Sequence, residues 1–297
     1  MDKNKPKLAF SLIELSVVIL IIGVLVVGIT QGTKILNSAR LSSAKSLTQG
    51  SPVSTIDNLV MWLETTSDKS FDASEKVDTV FGATGTITSW NDISLQATSP
   101  NNATQNSINN KPRYIANGIN GLPVVNFDGA LNPNGDYLNW NGTSLANSNY
   151  TIFVVEQRRS SAGNNYFIGG INTGQNQELH LGYRTNTLFT FAQYSNDYDM
   201  PISGYTSPIA KIHSFTFNSA IGKNYYLNGQ IPSGGTCITT NCKTGLSSYL
   251  SASTGLRDPG NGYFNGDIGE IIVFNKFLNN TERTSVEDYL KTKWRIK

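Results

Sequence analysis

The chain contains few cysteines, few histidines and few charged residues for its length. Its 297 residues include two Cys and two His, and Asp, Glu, Lys and Arg together make up 15%. Two cysteines argue against a small protein held by a disulfide framework and against a Cys-rich zinc site. The net charge is +2, and the Lys and Arg residues are scattered. Nucleic acid is therefore not an expected partner, because it needs basic residues clustered on one face.

Residue patterns that carry catalysis are also scarce. Glycosidases on β-sandwiches use closely spaced carboxylates on one strand face. Asp267 and Glu270 are the nearest candidates, but a separation of three residues predicts opposite faces, and no other predicted strand carries alternating acids. His180 and His213 are far apart, and neither neighbours an evident nucleophile. Both are expected to be hydrogen-bonded sheet residues, and the protein is predicted not to be an enzyme.

A membrane-length apolar run lies at the N-terminus. Residues 10–29 can cross a bilayer as a helix, which takes about 20 residues. The lysines before the run predict, by the positive-inside rule, that residues 1–8 stay in the cytoplasm and that the chain after residue 30 lies on the far side. Glu14 is the exception within the run, because a carboxylate costs about 2.5 to 3.5 kcal/mol at the centre of a membrane helix.

The helical pattern continues past the membrane stretch. Apolar residues recur at roughly helical spacing up to Leu47, and no proline interrupts residues 10–49. The segment QGSP, residues 49–52, is expected to end the helix. The sequence thus predicts one continuous helix of about 40 residues and 60 Å, with Gly28 and Gly32 as its weak points.

After residue 55 the pattern changes to short strands separated by Gly, Asn, Ser and Pro clusters. The clearest are YTIFVVEQ (150–157), TLFTFAQY (187–194), KIHSFTFN (211–218) and KNYYLNGQ (223–230). Within 211–218, the side chains of His213, Phe215 and Phe217 are expected to share one face. No helices intervene, so the pattern predicts an antiparallel sandwich rather than a parallel α/β sheet.

Residues 9–23, AFSLIELSVVILIIG, resemble the N-terminal signature of type IV prepilins and pseudopilins. That signature has a short basic leader, a small residue at the cut, then Phe, a hydroxyl residue, Leu-Ile-Glu-Leu and an apolar run. The resemblance implies that prepilin peptidase cuts between Ala9 and Phe10 and methylates the new amine of Phe10, giving N-methylphenylalanine. Ala9 stands where most of the family has Gly, a departure that is expected to slow the cut.

Cleavage would also explain Glu14. It creates a cationic α-amine at Phe10, and a carboxylate at the same membrane depth can neutralise that charge when subunits pack into a filament. A buried charge pair penalises wrong registers, as polar positions do in coiled coils, so Glu14 is assigned to assembly. A secretory signal peptide would have a shorter apolar core followed by its cleavage site, and a plain membrane anchor would leave Glu14 unexplained.

The remainder of the chain resembles concanavalin A-like, laminin G-like domains of bacterial surface proteins. The order of the segments carries the resemblance: LVMWLE (59–64), ITSWNDIS (87–94), KPRYIANGINGLPVVNFDG (111–129), NYTIFVVEQ (149–157), YYLNGQ (225–230) and FNGDIGEIIVFNKFLNNTERTSVEDYLKTKW (264–294). It implies a jelly roll. In the last segment, Asn279 and Glu282 have capping-box spacing, and Val286, Leu290 and Trp294 form one helical stripe.

The predicted fold class is mainly β. A long N-terminal transmembrane α-helix is followed by an antiparallel jelly-roll β-sandwich, concanavalin A-like or laminin G-like, with a C-terminal helix. The predicted divisions are a prepilin leader (1–9), a transmembrane and assembly helix (10–49), a linker (50–58) and the sandwich (59–297). We call the sandwich the head. Copies of a head this large are hard to pack at every position along a filament, so a minor or tip subunit is favoured.

No cofactor is required, but calcium is a candidate because many laminin G-like domains bind it. The candidate ligands lie in two oxygen-rich segments that we interpret as loops. NPNGDY carries Asp136, and SNDYDM carries Asp197 and Asp199. A calcium site needs six to eight oxygens, and Asp and Asn are otherwise ordinary turn formers. Loop aromatics that could bind a glycan instead of packing are Tyr194, Tyr198 and Tyr205.

The two cysteines, Cys237 and Cys242, flank ITTN in a Gly-rich segment. In an exported domain a short-loop disulfide between them is the default, and so small a ring adds at most about 2 kcal/mol to stability. Their spacing does not fit a redox CxxC motif.

The expected function is that of a type IV pilin-like subunit that presents a lectin-like domain for adhesion to a glycan or a surface protein. Its expected partners are other pilin subunits, prepilin peptidase, the inner-membrane assembly machinery and, before assembly, the membrane itself. The precursor is expected in the bacterial inner membrane with a periplasmic head, and later in a pilus at the cell surface. The alternatives are a type II secretion pseudopilin in a periplasmic pseudopilus and a membrane-tethered carbohydrate-binding protein.

Overall fold

The computed structural model describes residues 12–76, 85–95, 99–130, 135–171, 174–237, 242–258 and 261–297. The chain begins with helix α1 (Leu12–Gln49) and ends with helix α2 (Asn280–Trp294). The strands between them are β1 (Leu59–Glu64), β2 (Ser89–Trp90), β3 (Ala103–Thr104), β4 (Arg113–Ile115), β5 (Val124–Asp128), β6 (Leu138–Trp140), β7 (Tyr150–Arg158), β8 (Asn165–Gly170), β9 (Leu179–Thr185), β10 (Leu188–Gln193), β11 (Asp197–Pro201), β12 (Ala210–Asn218), β13 (Gly222–Leu227), β14 (Thr236–Cys237), β15 (Ala252–Thr254), β16 (Leu256–Asp258), β17 (Asn261–Tyr263) and β18 (Asn265–Phe274).

Two antiparallel sheets pack face to face. The first sheet has the strand order β13-β12-β7-β18-β5-β4, with β1 also paired to β18, and the second has the order β14-β11-β10-β9-β8-β15-β6-β3-β2. β16 and β17 form a separate hairpin. The predicted fold class is confirmed: an apolar N-terminal helix precedes an antiparallel sandwich, and a helix ends the chain.

Strand alternation distributes apolar side chains between two layers. In β12, Phe215 and Phe217 lie in the core between the sheets, whereas Ile212 lies in the layer beneath α2. His213 points to the same side as the two phenylalanines, and its ring stacks on Phe189 of the second sheet with 5.0 Å between centroids. The predicted shared face of β12 is therefore confirmed.

The helix α2 covers the outer face of the first sheet. The side chain of Asn279 accepts from the backbone N–H of Glu282, and the side chain of Glu282 accepts from the backbone N–H of Asn279, so the predicted capping box is confirmed. Val286, Leu290 and Trp294 are all buried against the sheet. The predicted apolar stripe thus provides the face by which the helix docks.

Lys293 joins α2 to the first sheet. Its Nζ lies 2.8 Å from Glu64 Oε2 and 2.9 Å from Glu270 Oε2, and the three side chains are fully buried. Trp294 Nε1 and Tyr289 OH also donate to Glu270. Burial alone would lower the pKa of Lys293, but the charges of Glu270 and Glu64 outweigh it and raise that pKa. We call Glu64, Glu270 and Lys293 the buried ion network; it links α2 to strands β1 and β18.

The helix α1 leaves the sandwich as an extended rod. Near its end Ala44 and Thr48 are buried, and Thr48 Oγ1 lies 3.3 Å from the hydroxyl of Tyr289 in α2. Large apolar side chains within Leu12–Leu36 are exposed. The helix is unbroken over 38 residues, a length of about 57 Å. The predicted continuous helix is therefore confirmed over its described part.

Candidate functional site

The predicted processing and assembly residues lie near the N-terminus of the chain. Ala9 and Phe10 lie outside the described residues, so the cleavage and the N-methylation stay predictions. Glu14 lies in the first turn of α1 and is exposed. The most apolar part of α1 is not buried, and the helix is long and apolar enough to cross a membrane. A signal sequence near the N-terminus would have the same length and composition. An exposed apolar surface of this size requires lipid or protein cover.

A small cavity opens at one end of the sandwich, where β7 ends and β12 begins. It encloses about 150 Å³. Its lining residues are Arg158, Ser203, Gly204, Tyr205, Thr206, Ser207, Ile209 and Lys211. One wall is the loop that crosses from β11 in the second sheet to β12 in the first. We call this space the Arg158–Lys211 cavity.

A group of hydrogen-bonded polar side chains lies next to this cavity, inside the core. Glu156 is fully buried, and its Oε1 accepts from the hydroxyl of Tyr183 at 2.6 Å and lies 2.8 Å from His213 Nε2. Burial lowers the pKa of His213, so the neutral ring donates through Nε2 and accepts at Nδ1 from Tyr225, 2.9 Å away. The expectation that His213 is a hydrogen-bonded sheet residue is confirmed.

Two cations, Arg158 and Lys211, line the cavity. Lys211 lies opposite Glu156 in the β7–β12 pairing, but its Nζ donates to the hydroxyl of Tyr183 at 3.2 Å. Arg158 donates to the carbonyl oxygen of Ala162 at 2.8 Å, and its guanidinium lies 4.2 Å above the ring of Tyr183. Neither cation forms an ion pair with a carboxylate in the described part of the chain, and burial lowers the pKa of both. Two cations against the one carboxylate of Glu156 leave an excess of positive charge.

A second, larger cavity lies at the opposite end of the β7–β12 pair. It encloses about 460 Å³ and carries no charged side chain among its lining residues. Those residues are Asn147, Ser148, Asn149, Phe217, Ser219, Thr244, Gly245, Leu246 and Ser247. Amides and hydroxyls around an aromatic ring suit neutral polar ligands.

The structure separates the predicted calcium ligands. Asp136 precedes β6, whereas Asp197 and Asp199 lie on β11, and four strands of the second sheet stand between β6 and β11. Part of the NPNGDY segment lies outside the described residues. Burial, with the charge of Asp128, raises the pKa of Asp136 to about 7. No group of three or more acidic, His or Cys side chains able to hold a metal is found in the described ranges, and calcium binding stays a prediction.

The segment with Asp197 and Asp199 is a strand, so its interpretation as a loop is wrong. Both acids lie on β11 with alternate spacing, which also corrects the expectation that no other strand carries alternating acids. The strand was not predicted from the sequence because the Gly, Asn and Ser residues that flank it are typical of turns. The guanidinium of Arg184 lies 2.6 Å from Asp197 Oδ2 and 3.4 Å from Asp199 Oδ1, so one side-chain cation already contacts both carboxylates.

Asp267 and Glu270 lie on the same face of β18, contrary to the expectation from their spacing. The register of β18 against β7 shifts between Ile268 and Glu270, and this β-bulge reverses the alternation. Glycine stands at the bulge because a Cβ at Gly269 would lie 2.4 Å from the Trp294 ring. Asp267 pairs with Arg159 at 2.6 Å, and Glu270 belongs to the buried ion network.

The remaining candidates fall in different surroundings. His180 lies 2.5 Å from Glu178, as expected of a hydrogen-bonded sheet residue, and the ring of Tyr194 packs beside it at 5.6 Å. Tyr198 packs against the main core, whereas Tyr205 lines the Arg158–Lys211 cavity.

The cysteine pair is described only in part. Cys237 lies in β14, but its side chain and residues 238–241 lie outside the described part of the structure. The disulfide with Cys242 stays a prediction.

Sequence reasoning missed the Arg158–Lys211 cavity. The available signal was a polar residue at alternate positions of otherwise apolar strands, namely Glu156 and Arg158 in β7 and Lys211 and His213 in β12. Such a pattern at the end of two neighbouring inner strands marks a place where the core opens to solvent.

The similarities to known proteins are limited to fold. No protein-family model and no curated protein matches the chain. A botulinum neurotoxin type C chain, from a toxin whose cell entry depends on interaction with two ganglioside molecules, has a TM-score of 0.52 and 12% identity over 81% of this chain and 53% of the toxin chain. Domain 4 of an arabinanase from Geobacillus stearothermophilus, bound to arabinotriose, has a TM-score of 0.49 and 16% identity over 78% of this chain and 98% of its own. A Trypanosoma rangeli sialidase has a TM-score of 0.48 and 14% identity over 80% of this chain and 33% of its own.

The chain thus spans about half the length of the toxin chain and a third of the sialidase chain. At 12% identity, the similarity to the toxin chain supports a shared β-sandwich fold and no shared function.

Proposed function

We propose that the chain is a type IV pilin-like subunit, minor or at the filament tip, that is cut by prepilin peptidase before Phe10 and presents a carbohydrate-binding sandwich. The observation that carries this proposal is the form of α1. The helix is continuous and exposed over its apolar part, and its C-terminal part packs against the head, where Ala44 and Thr48 are buried. A signal peptide that is removed has no need of a helix that runs on to dock against the folded domain.

Glu14 gives the proposed assembly its register. After the cut, the α-amine of Phe10 lies four residues, or about 6 Å of helix rise, from the Glu14 carboxylate. A carboxylate in lipid is costly, and the amine of its own or a neighbouring subunit offsets that cost. Subunits out of register would leave one of these charges unpaired.

The head is the proposed adhesive part. Its fold is shared with a toxin that interacts with gangliosides, and its two end cavities offer polar groups beside an aromatic ring. These observations support a glycan ligand. The precursor lies in the inner membrane with its head in the periplasm, and the assembled subunit is exposed on a pilus.

Mass spectrometry of the mature protein tests the processing step. We expect a chain that starts at methylated Phe10, and a chain that retains residues 1–9 in cells that trim their other pilins would exclude it.

Glu14→Ala tests assembly separately. We expect that variant to insert and be cut but to be absent from sheared filaments, while the matched control Ser16→Ala enters them. Normal entry of Glu14→Ala would contradict the assembly role. Surface labelling of intact cells distinguishes the pilus, whose head is labelled, from a periplasmic secretion pseudopilus, whose head is protected.

A further inference from the structure

We infer that the Arg158–Lys211 cavity binds the carboxylate of an acidic sugar, as the specificity site of the proposed adhesive head. The inference rests on that proposed function and adds the class of glycan.

The charge of the cavity favours an anionic ligand. Arg158 and Lys211 line the cavity, and neither is ion-paired with any described carboxylate. The adjacent Glu156 already accepts from Tyr183 and His213, and it balances one of the two positive charges. A single anion in the cavity would balance the other.

The two cations also have hydrogen-bond donors that are not used by the described residues. A lysine ammonium carries three N–H donors, and Lys211 uses one of them on Tyr183 among the described residues. The buried Nε of Arg158 likewise has no hydrogen-bond partner in that part of the chain. Burial lowers the pKa of Lys211, and a bound carboxylate would raise it again, so the charged lysine and the ligand stabilise each other.

The size and lining of the cavity suit a single sugar ring. A space of about 150 Å³ is well below that of a drug-sized pocket and suits one ring with its carboxylate. The half-buried ring of Tyr205 forms part of the lining, which offers the C–H face of a sugar an apolar contact. Ser203, Thr206 and Ser207 place exposed hydroxyl groups around the opening, within a loop that joins the two sheets.

The excess positive charge of this cavity favours an acidic sugar over a neutral one. The larger cavity near Asn147 lacks charged lining residues, so it serves as an internal comparison. A ligand that needs a carboxylate should depend on Lys211 and not on the larger cavity.

The test is calorimetric titration of the full chain in a detergent without a sugar headgroup. The probes are trigalacturonate with its methyl ester, and sialyllactose with lactose, so that each acid has a neutral partner. We expect at least one acid to bind about ten to a hundred times more tightly than its neutral partner, the range of one hydrogen bond to a charged group.

Variants assign the binding to the cavity. Lys211→Gln should weaken acid binding by a similar factor, and Lys211→Arg should restore most of it. Arg113→Gln removes one positive charge from the exposed surface of β4 and should change binding less than twofold. Thermal unfolding of each variant checks that it is folded.

The inference would be overturned by equal affinity for acid and ester, by unchanged acid binding in Lys211→Gln, or by competition from inorganic sulfate at the same concentration as the sugar acid. Absence of acid binding while lactose binds would also overturn it, yet would leave the adhesive head intact. Processing at Phe10 and filament entry are measured independently and do not depend on this site.

Discussion

Replacing Lys293 by methionine removes the cation from the buried ion network and keeps the length of the side chain. Glu64 and Glu270 would then remain as two fully buried carboxylates. Removing one partner of a buried ion pair costs about 3 to 5 kcal/mol, because the remaining charge is left uncompensated. Since Lys293 serves two carboxylates, we expect a loss of unfolding free energy near the upper end of that range at pH 7.

The loss should depend on pH. In the wild type, burial alone would raise the pKa of Glu64, but the charge and hydrogen bond of Lys293, with hydrogen bonds from Thr66, hold that pKa below 4.5. Glu64 therefore contributes stability above its unfolded pKa, and this contribution is lost as the pH falls. Without Lys293 the burial effect remains, the folded state binds the proton more tightly, and the variant gains relative stability in acid. The difference between the two proteins should shrink from pH 7 to pH 4.

Urea denaturation of the full chain in detergent micelles, followed by tryptophan fluorescence, measures this difference. Trp294 reports directly, because its indole Nε1 donates to Glu270. Lys291→Met is the matched control on the same helix: Lys291 lies 3.7 Å from the exposed Asp288, and we expect a change below about 1 kcal/mol. The reasoning would be refuted if Lys293→Met lost no more unfolding free energy than Lys291→Met. It would also be refuted if the loss in Lys293→Met were equal at pH 4 and pH 7.

Three further changes test other sites by the same denaturation assay. Burial lowers the pKa of Lys223 from 10.5 to about 7, so between pH 7 and pH 10.5 the unfolded chain binds more protons than the folded chain. The free energy of unfolding should therefore rise with pH in this range, and Lys223→Met should abolish the rise. Burial raises the pKa of Asp136 to about 7, so the wild type should lose stability as the pH rises from 4 through 7, and Asp136→Asn should be the more stable above pH 7. Calcium chloride should stabilise the wild type and not Asp136→Asn if a cation binds there. Gly269→Ala should cost about 1 to 3 kcal/mol by overpacking, because its Cβ would meet the Trp294 ring, and an unchanged unfolding midpoint would contradict that contact.

Several features follow from residues that are close together in the chain. The capping box needs only Asn279 and Glu282, and the helix α1 needs only an uninterrupted helical pattern. The shared face of β12 follows from strand alternation alone. The resemblance to the prepilin signature is equally local, so the proposal that residues 9–23 are such a signature needs no structural contact.

Other features depend on residues that the fold brings together from distant positions. The buried ion network joins Glu64, Glu270 and Lys293. The Arg158–Lys211 cavity exists because β7 and β12 are neighbours and the loop after β11 crosses between the sheets.

The sequence by itself determined a membrane-length helix, a strand-rich domain and a capped terminal helix, because each depends on short-range periodicity and on the chemistry of neighbouring residues. Only the tertiary structure decided that Asp267 and Glu270 share a face, that Asp197 and Asp199 lie on a strand beside Arg184, and that Arg158 and Lys211 meet in one cavity. A bulge, a strand pairing and a cavity all depend on which segments pack against each other, and that is settled by the free energy of the whole core rather than by any local pattern.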